Sequence, residues 1–494
     1  MRISYSSLEN QQVSLRRRWA DYSQKVTASL EIKKPKGHLL VLDGVRAAAC
    51  LAVLLHHIVY QIVLPAHWSG LWKPSGTIQV IFAALLSFGA SGVILFFLLS
   101  SFLLFLPFAK VLLFDGQWPS VSRFYIRRLF RILPAYYVAI ILMVLFFHPE
   151  FLQAANRWKL LEFFTFSMQA QLPAQLNGPF WTMAVEFQFY MLLPLIAWIL
   201  SLVVRRGTLR WRITKLVSCL LVILGWGLLS RWWGLFVQPS ATSFPQNILA
   251  ALQPYYYGDN GKYFESFAVG MLLAILYVYI QNAPRGEILR KKLQRWSSRM
   301  FLIGLLILGF LAIYVFCVPR QYGAAFVFLD PYRTMLSQIY AQWQSIGYSI
   351  CYSLCVCALL YNSGRLKRPF EWSVLRWIGL FSFSLYMWHL PLLFLFMNIM
   401  SQQFQGVGHR VQFVALLAWV FFVIFPISLT LYRWIEMPGM RLGETLIQKI
   451  EKLKKGKPPV ISTRTPIQEA PSTPSEVEMQ RSSLCRISET IWCI

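Results

Sequence analysis

The stretch LDGVRAAACLAVLLHH, Leu42 to His57, is apolar enough to enter a bilayer, yet it carries an aspartate, an arginine and two adjacent histidines. A charged group at the centre of a membrane helix costs roughly 2.5 to 3.5 kcal/mol to insert, so polar groups in such a segment need partners or a task. Read as a helix, Asp43, Arg46, Cys50, Val53 and His57 recur at spacings of three and four and share one face. His56 points about 100° away from it, which favours His57 as the functional histidine. Between Arg46 and His57 lie about three turns and about 16 Å of rise, so the two mark the ends of a polar path and do not touch. A structural account exists for single residues: Asp43 and Arg46 paired at i, i+3, and a histidine satisfied by a backbone carbonyl. The recurrence of polar groups in other spans weighs against it for the set.

The rest of the chain has the same character. Of 494 residues, 57% are hydrophobic and 14% charged, with a mean hydropathy of +0.51, a balance that few soluble proteins reach. The expected fold is an all-α polytopic membrane protein, a bundle of about ten transmembrane helices. Spans of sufficient length fall at about 39–63, 78–107, 133–147, 180–203, 213–236, 263–281, 301–318, 340–361, 376–399 and 411–432. Ten spans place both termini on one side. With each Lys and Arg assigned to its nearer membrane face, 37 of the 47 fall on that side and eight on the other, with Arg46 and Arg433 in or at the end of spans. This asymmetry is the positive-inside pattern, so both termini are expected to be cytoplasmic. The net charge of +27 then calls for anionic lipid as partner and makes nucleic-acid binding unnecessary.

Residues 1–37, with RRR at Arg16 to Arg18, lack the apolar core of a secretory signal and read as a basic cytoplasmic arm. Residues 38–440 form the transmembrane domain. Residues 441–494 read as a cytoplasmic tail that begins with the basic amphipathic IQKIEKLKKGK and is otherwise largely disordered, being rich in Ser, Thr and Pro. The eight cysteines lack metal-site spacing, and the polar residues form no clear ligand cluster, so no metal is expected.

Further polar groups sit in or beside other spans. GPFWTMAVEFQFYMLLP opens the fourth, with Glu186, Gln188 and Tyr190 among aromatics. Glu186 is about as far from the outer end of its span as His57 is from its own, which allows a His57–Glu186 pair. Anchoring of the bundle by Glu186 is the competing reading. RFYIRRLFRILPAYY places Arg128 and Arg131 on one helical face just before the third span, with forked donors suited to phosphate; positive-inside anchoring accounts for them equally. The ninth span carries Ser384, Tyr386 and His389 before Pro391, and the tenth ends in YRWIEMP with Glu436 at the cytoplasmic boundary. A proline within a span is tolerated where a neighbour satisfies the carbonyl it frees.

Taken in order, LDGVRAAACLAVLLHH, RFYIRRLFRILPAYY, FWTMAVEFQFYMLLP, FSFSLYMWH and YRWIEMP resemble the membrane-bound acyltransferase-3 family, over about residues 38 to 440. The resemblance implies a standalone O-acyltransferase in a bacterial plasma membrane. Its donor would be cytoplasmic acyl-CoA, acetyl by default, and its acceptor a hydroxyl of a surface polysaccharide. The family's arginine–ten residues–histidine motif falls on Arg46 and His57, and its R-x-x-R motif on Arg128 and Arg131. Asp43, Ser100, Tyr190, Tyr386, His389 and Glu436 stand as supporting residues. Two patterns depart from the family: GVILFFLLSSF has Ile94 and Ser101 where an aspartate and a glycine are usual, and Phe187 replaces a frequent second glutamate.

The expected mechanism has Arg46, Arg128 and Arg131 holding the donor's phosphates, His57 acting as general base and Glu186 supporting it. Direct attack by the hydroxyl and an acyl-histidine intermediate both fit. The rival readings are acylation of a small hydroxylated natural product or lipid, a transporter or flippase, which also buries His, Glu and Arg, and a noncatalytic scaffold.

Overall fold

In hydrocarbon every backbone N–H and C=O needs an internal partner, and a helix supplies one within a single segment. The computed structural model follows that rule. It describes residues 39–59, 76–168, 176–237, 262–318, 324–362, 364–403 and 407–455, and no strand forms among them. Ten helical stretches are long and apolar enough to cross a membrane, so the chain is a multi-pass membrane protein. The N-terminal arm and residues 456–494 of the tail lie outside the described residues.

Helix α1 (Leu40–His57) carries the opening motif. A short α2 (Thr77–Ser87) leads through a 3-10 turn into α3 (Gly92–Phe114). There follow α4 (Val121–Phe146), α5 (Phe180–Val204), α6 (Leu209–Trp232), α7 (Phe264–Asn282), α8 (Gly286–Cys317) and α9 (Arg333–Tyr361). The C-terminal part comprises α10 (Ser373–Leu380), α11 (Ser382–Gln403), α12 (His409–Trp419), α13 (Phe425–Leu431) and α14 (Met437–Lys455).

The hub is α3, buried along almost its whole length, with α1, α5, α6, α7 and α9 packed around it. Its apolar residues have no polar face to keep in water, so it takes the centre. Close approach to α7 depends on Gly270, where any side chain would collide with Ser101 and the Leu98 carbonyl. Ser101 itself donates to Leu98 O at 3.1 Å. The outer helices expose Phe82, Val222, Trp226, Phe310, Phe421 and Phe422, a surface suited to lipid.

Three elements differ from their sequence expectation. The helix of the third span begins at Val121, ahead of the apolar run at 133, so Arg128 and Arg131 lie on α4 itself. Apolarity alone marks only part of this helix, because its first turns carry the arginines. The ninth span is broken at Phe381 into α10 and α11; Ser382 Oγ donates to Gly379 O at 2.9 Å, a local bond that competes with continuous helix. The tail's first residues are helical. They form most of α14, which lies along α4 through ion pairs of Arg127 with Glu444 (2.8 Å) and of Arg123 with Glu451.

Candidate active site

Two cavities meet inside the bundle. The first, about 70 Å³, gathers Arg46 from α1, Arg128 and Arg131 from α4, and Ser100, Glu186 and Tyr190. Arg127, one position from this set, is engaged by Glu444, so the arginine motif divides into a structural residue and two cavity residues. Arg128 is 5% exposed and its guanidinium lies 5.8 Å from the Tyr190 ring centroid. Neither Arg46 nor Arg131 takes part in an ion pair among the described residues. The carboxylate of Glu186 accepts from both Ser100 Oγ and Tyr190 Oη, whose oxygens are 3.1 Å apart. Three guanidiniums therefore share a cavity with one carboxylate that is already hydrogen-bonded. Such an excess of forked donors suits a multiply charged anion, phosphate above all.

The second cavity, about 430 Å³, is lined by His56 and His57 from the end of α1 and by Trp181, Tyr263, Tyr340 and Tyr348 among others. The acceptors around the histidines assign their protons. His389 Nδ1 lies 2.7 Å from the Tyr386 carbonyl, which only accepts, so Nδ1 carries the hydrogen and neutral His389 keeps a lone pair on Nε2. That Nε2 is 3.1 Å from His57 Nδ1, and Val53 O is 2.9 Å from the same atom. Both neighbours need a donor, which puts the His57 proton on Nδ1. Its Nε2 is left with a lone pair and no hydrogen-bond partner among the described residues. That is the state of a general base.

The cavities share two lining residues, Val93 and Tyr386. Tyr386 is held by a 2.8 Å hydrogen bond between its hydroxyl and Thr182 Oγ1 and by an edge-on contact with Phe96.

The expected pairing of His57 with Glu186 is replaced by other partners: His389 for the histidine, Ser100 and Tyr190 for the glutamate. Equal distance from two helix ends did not mean equal environment, because Glu186 turns toward the arginines. The helical-wheel exclusion of His56 is also softened, since both histidines line the same cavity; only His57 has its tautomer set by His389. Glu436, expected at the membrane boundary, is fully buried and accepts from Ser384 Oγ at 3.0 Å. Asp43 is buried at the start of α1, where its carbonyl faces Gly379 closely enough to exclude a side chain. Gln188 donates to Phe166 O at 2.7 Å, and Phe187 stacks on the Phe166 ring at 4.0 Å. At the other departure from the family pattern, Ile94 lines the histidine cavity.

Sequence reading missed Asn177. Its Nδ2 donates to Met387 O at 2.8 Å, the carbonyl that Pro391, four residues on, leaves without an N–H. It also missed Thr182, Trp181, Tyr263 and a buried ion pair of Arg231 with Glu265, 2.9 Å apart. A lone arginine at a span end carries no signal of a partner 34 positions away.

A membrane bundle with an arginine-rich cavity backed against a histidine-lined cavity has the parts that a membrane-embedded group-transfer enzyme needs. Residues 39–433 match the family model described as acyltransferase domain, and the chain belongs to that acyltransferase family. It is 25% identical over 424 residues to the peptidoglycan O-acetyltransferase OatA of Listeria monocytogenes serovar 1/2a, covering 81% of this chain and 56% of that protein. It is 25% identical over 390 residues to the putative peptidoglycan O-acetyltransferase YrhL of Bacillus subtilis strain 168, covering 75% of this chain and 50% of the relative. The chain thus spans about half the length of the curated relatives it matches. No solved structure matches it.

Proposed function

We infer that the chain is an O-acyltransferase of a bacterial plasma membrane, moving an acetyl group from cytoplasmic acyl-CoA to a hydroxyl of a surface glycan, with peptidoglycan the acceptor class its relatives' names supply. The observation that carries this reading is the junction of the two cavities at Val93 and Tyr386. Arg46, Arg128 and Arg131 fit the phosphates of the donor. The excess of Lys and Arg on the expected cytoplasmic side puts that end toward the donor pool. Glu186, braced by Ser100 and Tyr190, sets the charge of the cavity without joining His57.

In the transfer step His57 Nε2 removes the acceptor's hydroxyl proton as its oxygen bonds the acyl carbon. The carbon–sulfur bond breaks, and the imidazolium returns the proton to the departing thiolate, restoring neutral His57. His389 accepts the Nδ1 hydrogen bond and keeps Nε2 aimed at the acceptor. Direct transfer needs no covalent intermediate.

The test is reconstitution in proteoliposomes with labelled acetyl-CoA and soluble peptidoglycan fragments. The expected result is alkali-labile label on the glycan, lost in His57→Ala and retained in His56→Ala at equal membrane abundance. Equal labelling by wild type and His57→Ala would overturn the reading, as would flux of glycan across the membrane without any need for acetyl-CoA.

A further inference from the structure

The transfer chemistry leaves one buried ion pair unused. Arg231, in the last turn of α6, and Glu265, in the first turn of α7, are 3% and 1% exposed. Ser345 on α9 donates to the same carboxylate oxygen that Arg231 holds. Gly227 packs so closely on Glu265 that a side chain there would collide with its backbone N. Three helices therefore lock the pair in one geometry.

What the pair holds is Tyr263. The Arg231 guanidinium lies 5.0 Å from the centroid of its ring. Tyr263 stands at φ 55°, ψ 28°, a left-handed conformation uncommon for a bulky side chain, and one that persists where the surroundings impose it. The ring lines the histidine cavity beside Trp181, with centroids 5.9 Å apart and planes inclined by 29°. Phe97 backs it at 5.1 Å. A strained residue, fixed by a desolvated ion pair and facing the same cavity as the general base, is placed to meet a ligand there.

We propose that Tyr263 and Trp181 form a platform for a pyranose ring of the acceptor, and that the Arg231–Glu265 pair positions it. A pyranose offers C–H groups on its faces, which pack on aromatic rings, and hydroxyls around its edge. For that edge the cavity supplies Gln344 and the Tyr340 and Tyr348 hydroxyls, 2.8 Å from one another. A small aliphatic alcohol needs neither platform nor polar rim, and a lipid acceptor favours aliphatic walls. The proposal rests on the reading that the His57 cavity receives a glycan acceptor, and adds the residues that hold its sugar ring.

The test is steady-state kinetics in proteoliposomes, varying acetyl-CoA and a glycan fragment separately, with propane-1,2-diol as a non-sugar acceptor. Tyr263→Ala and Trp181→Ala are each expected to raise the glycan KM about tenfold while leaving the acetyl-CoA KM and the diol rate within about twofold of wild type. Tyr263→Phe keeps the ring but gives up the hydroxyl's hydrogen bond with Arg231, and is expected to raise the glycan KM by less than Tyr263→Ala. Glu265→Gln, with the platform rings intact, is expected to raise the glycan KM in the same direction. Unchanged glycan KM in Tyr263→Ala and Trp181→Ala, or a parallel rise for the diol, overturns the platform while leaving acyl transfer standing. Should Tyr263→Ala fail to fold, Trp181→Ala decides alone. Absence of transfer by wild type to any acceptor overturns both readings.

Discussion

His389 has one hydrogen to place, and the Tyr386 carbonyl at 2.7 Å takes it. The consequence passes through its other nitrogen to His57, whose Nε2 is left free for chemistry. His57→Ala is expected to lower transfer by about 10²- to 10⁴-fold, the usual contribution of a general base, as read by labelled acetyl incorporation. His389→Leu removes an acceptor but leaves Val53 O in place, so a smaller loss is expected. His389→Gln, whose amide oxygen can accept from His57 Nδ1, should recover part of it; equal rates in the two variants would count against positioning by His389. Arg46→Ala and Arg131→Ala are expected to raise the acetyl-CoA KM, each by about tenfold or more, because charge-assisted hydrogen bonds to an anion contribute roughly 1.5–3 kcal/mol. The glycan KM should not follow. Arg46 and His57 were legible in the sequence because the helical period alone ties them to one face. Of the partners of Glu186, Tyr190 lies one turn on along α5 and is within the helical period, whereas Ser100 depends on how α5 turns against α3, which no spacing within one helix records.

At the scale of elements, the sharpest dependence joins two helices through a missing N–H. Pro391 leaves Met387 O without its helical donor, and Asn177 supplies one at 2.8 Å from the start of the α5 region. Asn177→Ala is expected to cost about 1–3 kcal/mol, the penalty of an orphaned buried acceptor, seen as a lower Tm in detergent. Placed on a Pro391→Ala background, where the helix regains its own donor, the same substitution should cost markedly less. Additive effects in that double-mutant cycle would break the link. A proline in a span announces that a donor is needed, and that much could be read; which residue provides it could not. The same limit applies at Phe381, where a serine-to-backbone bond divides a single span into α10 and α11. It applies also to Arg127 and Arg128, adjacent letters of one motif that end in an ion pair with α14 and in the cavity respectively.

For the whole molecule, the ten spans were legible from apolar run length, because the bilayer sets that length, and each overlaps one of the ten membrane-length helical stretches among the described residues. Charge counting does not see pairing within the bundle: it records Arg231 only as a charge near an outer face, whereas Glu265 holds it buried. The loop after α3 and the start of α6, which follows the loop after α5, share one end of the bundle, joined by an Asp115–Arg212 ion pair at 2.8 Å. In a background without reactive cysteines, Gly116→Cys and Gly207→Cys are therefore expected to react with an impermeant maleimide only after spheroplasts are permeabilised. Gly408→Cys, between α11 and α12, should react without that step; the reverse pattern would invert the assigned orientation. The shared wall at Val93 and Tyr386 carries a consequence for the order of events. Two substrates that enter from opposite ends and meet at a partition do not compete for a doorway. Their kinetics should be sequential, with intersecting double-reciprocal lines, and free CoA should compete with the donor alone, the acceptor being able to arrive and wait on its own side.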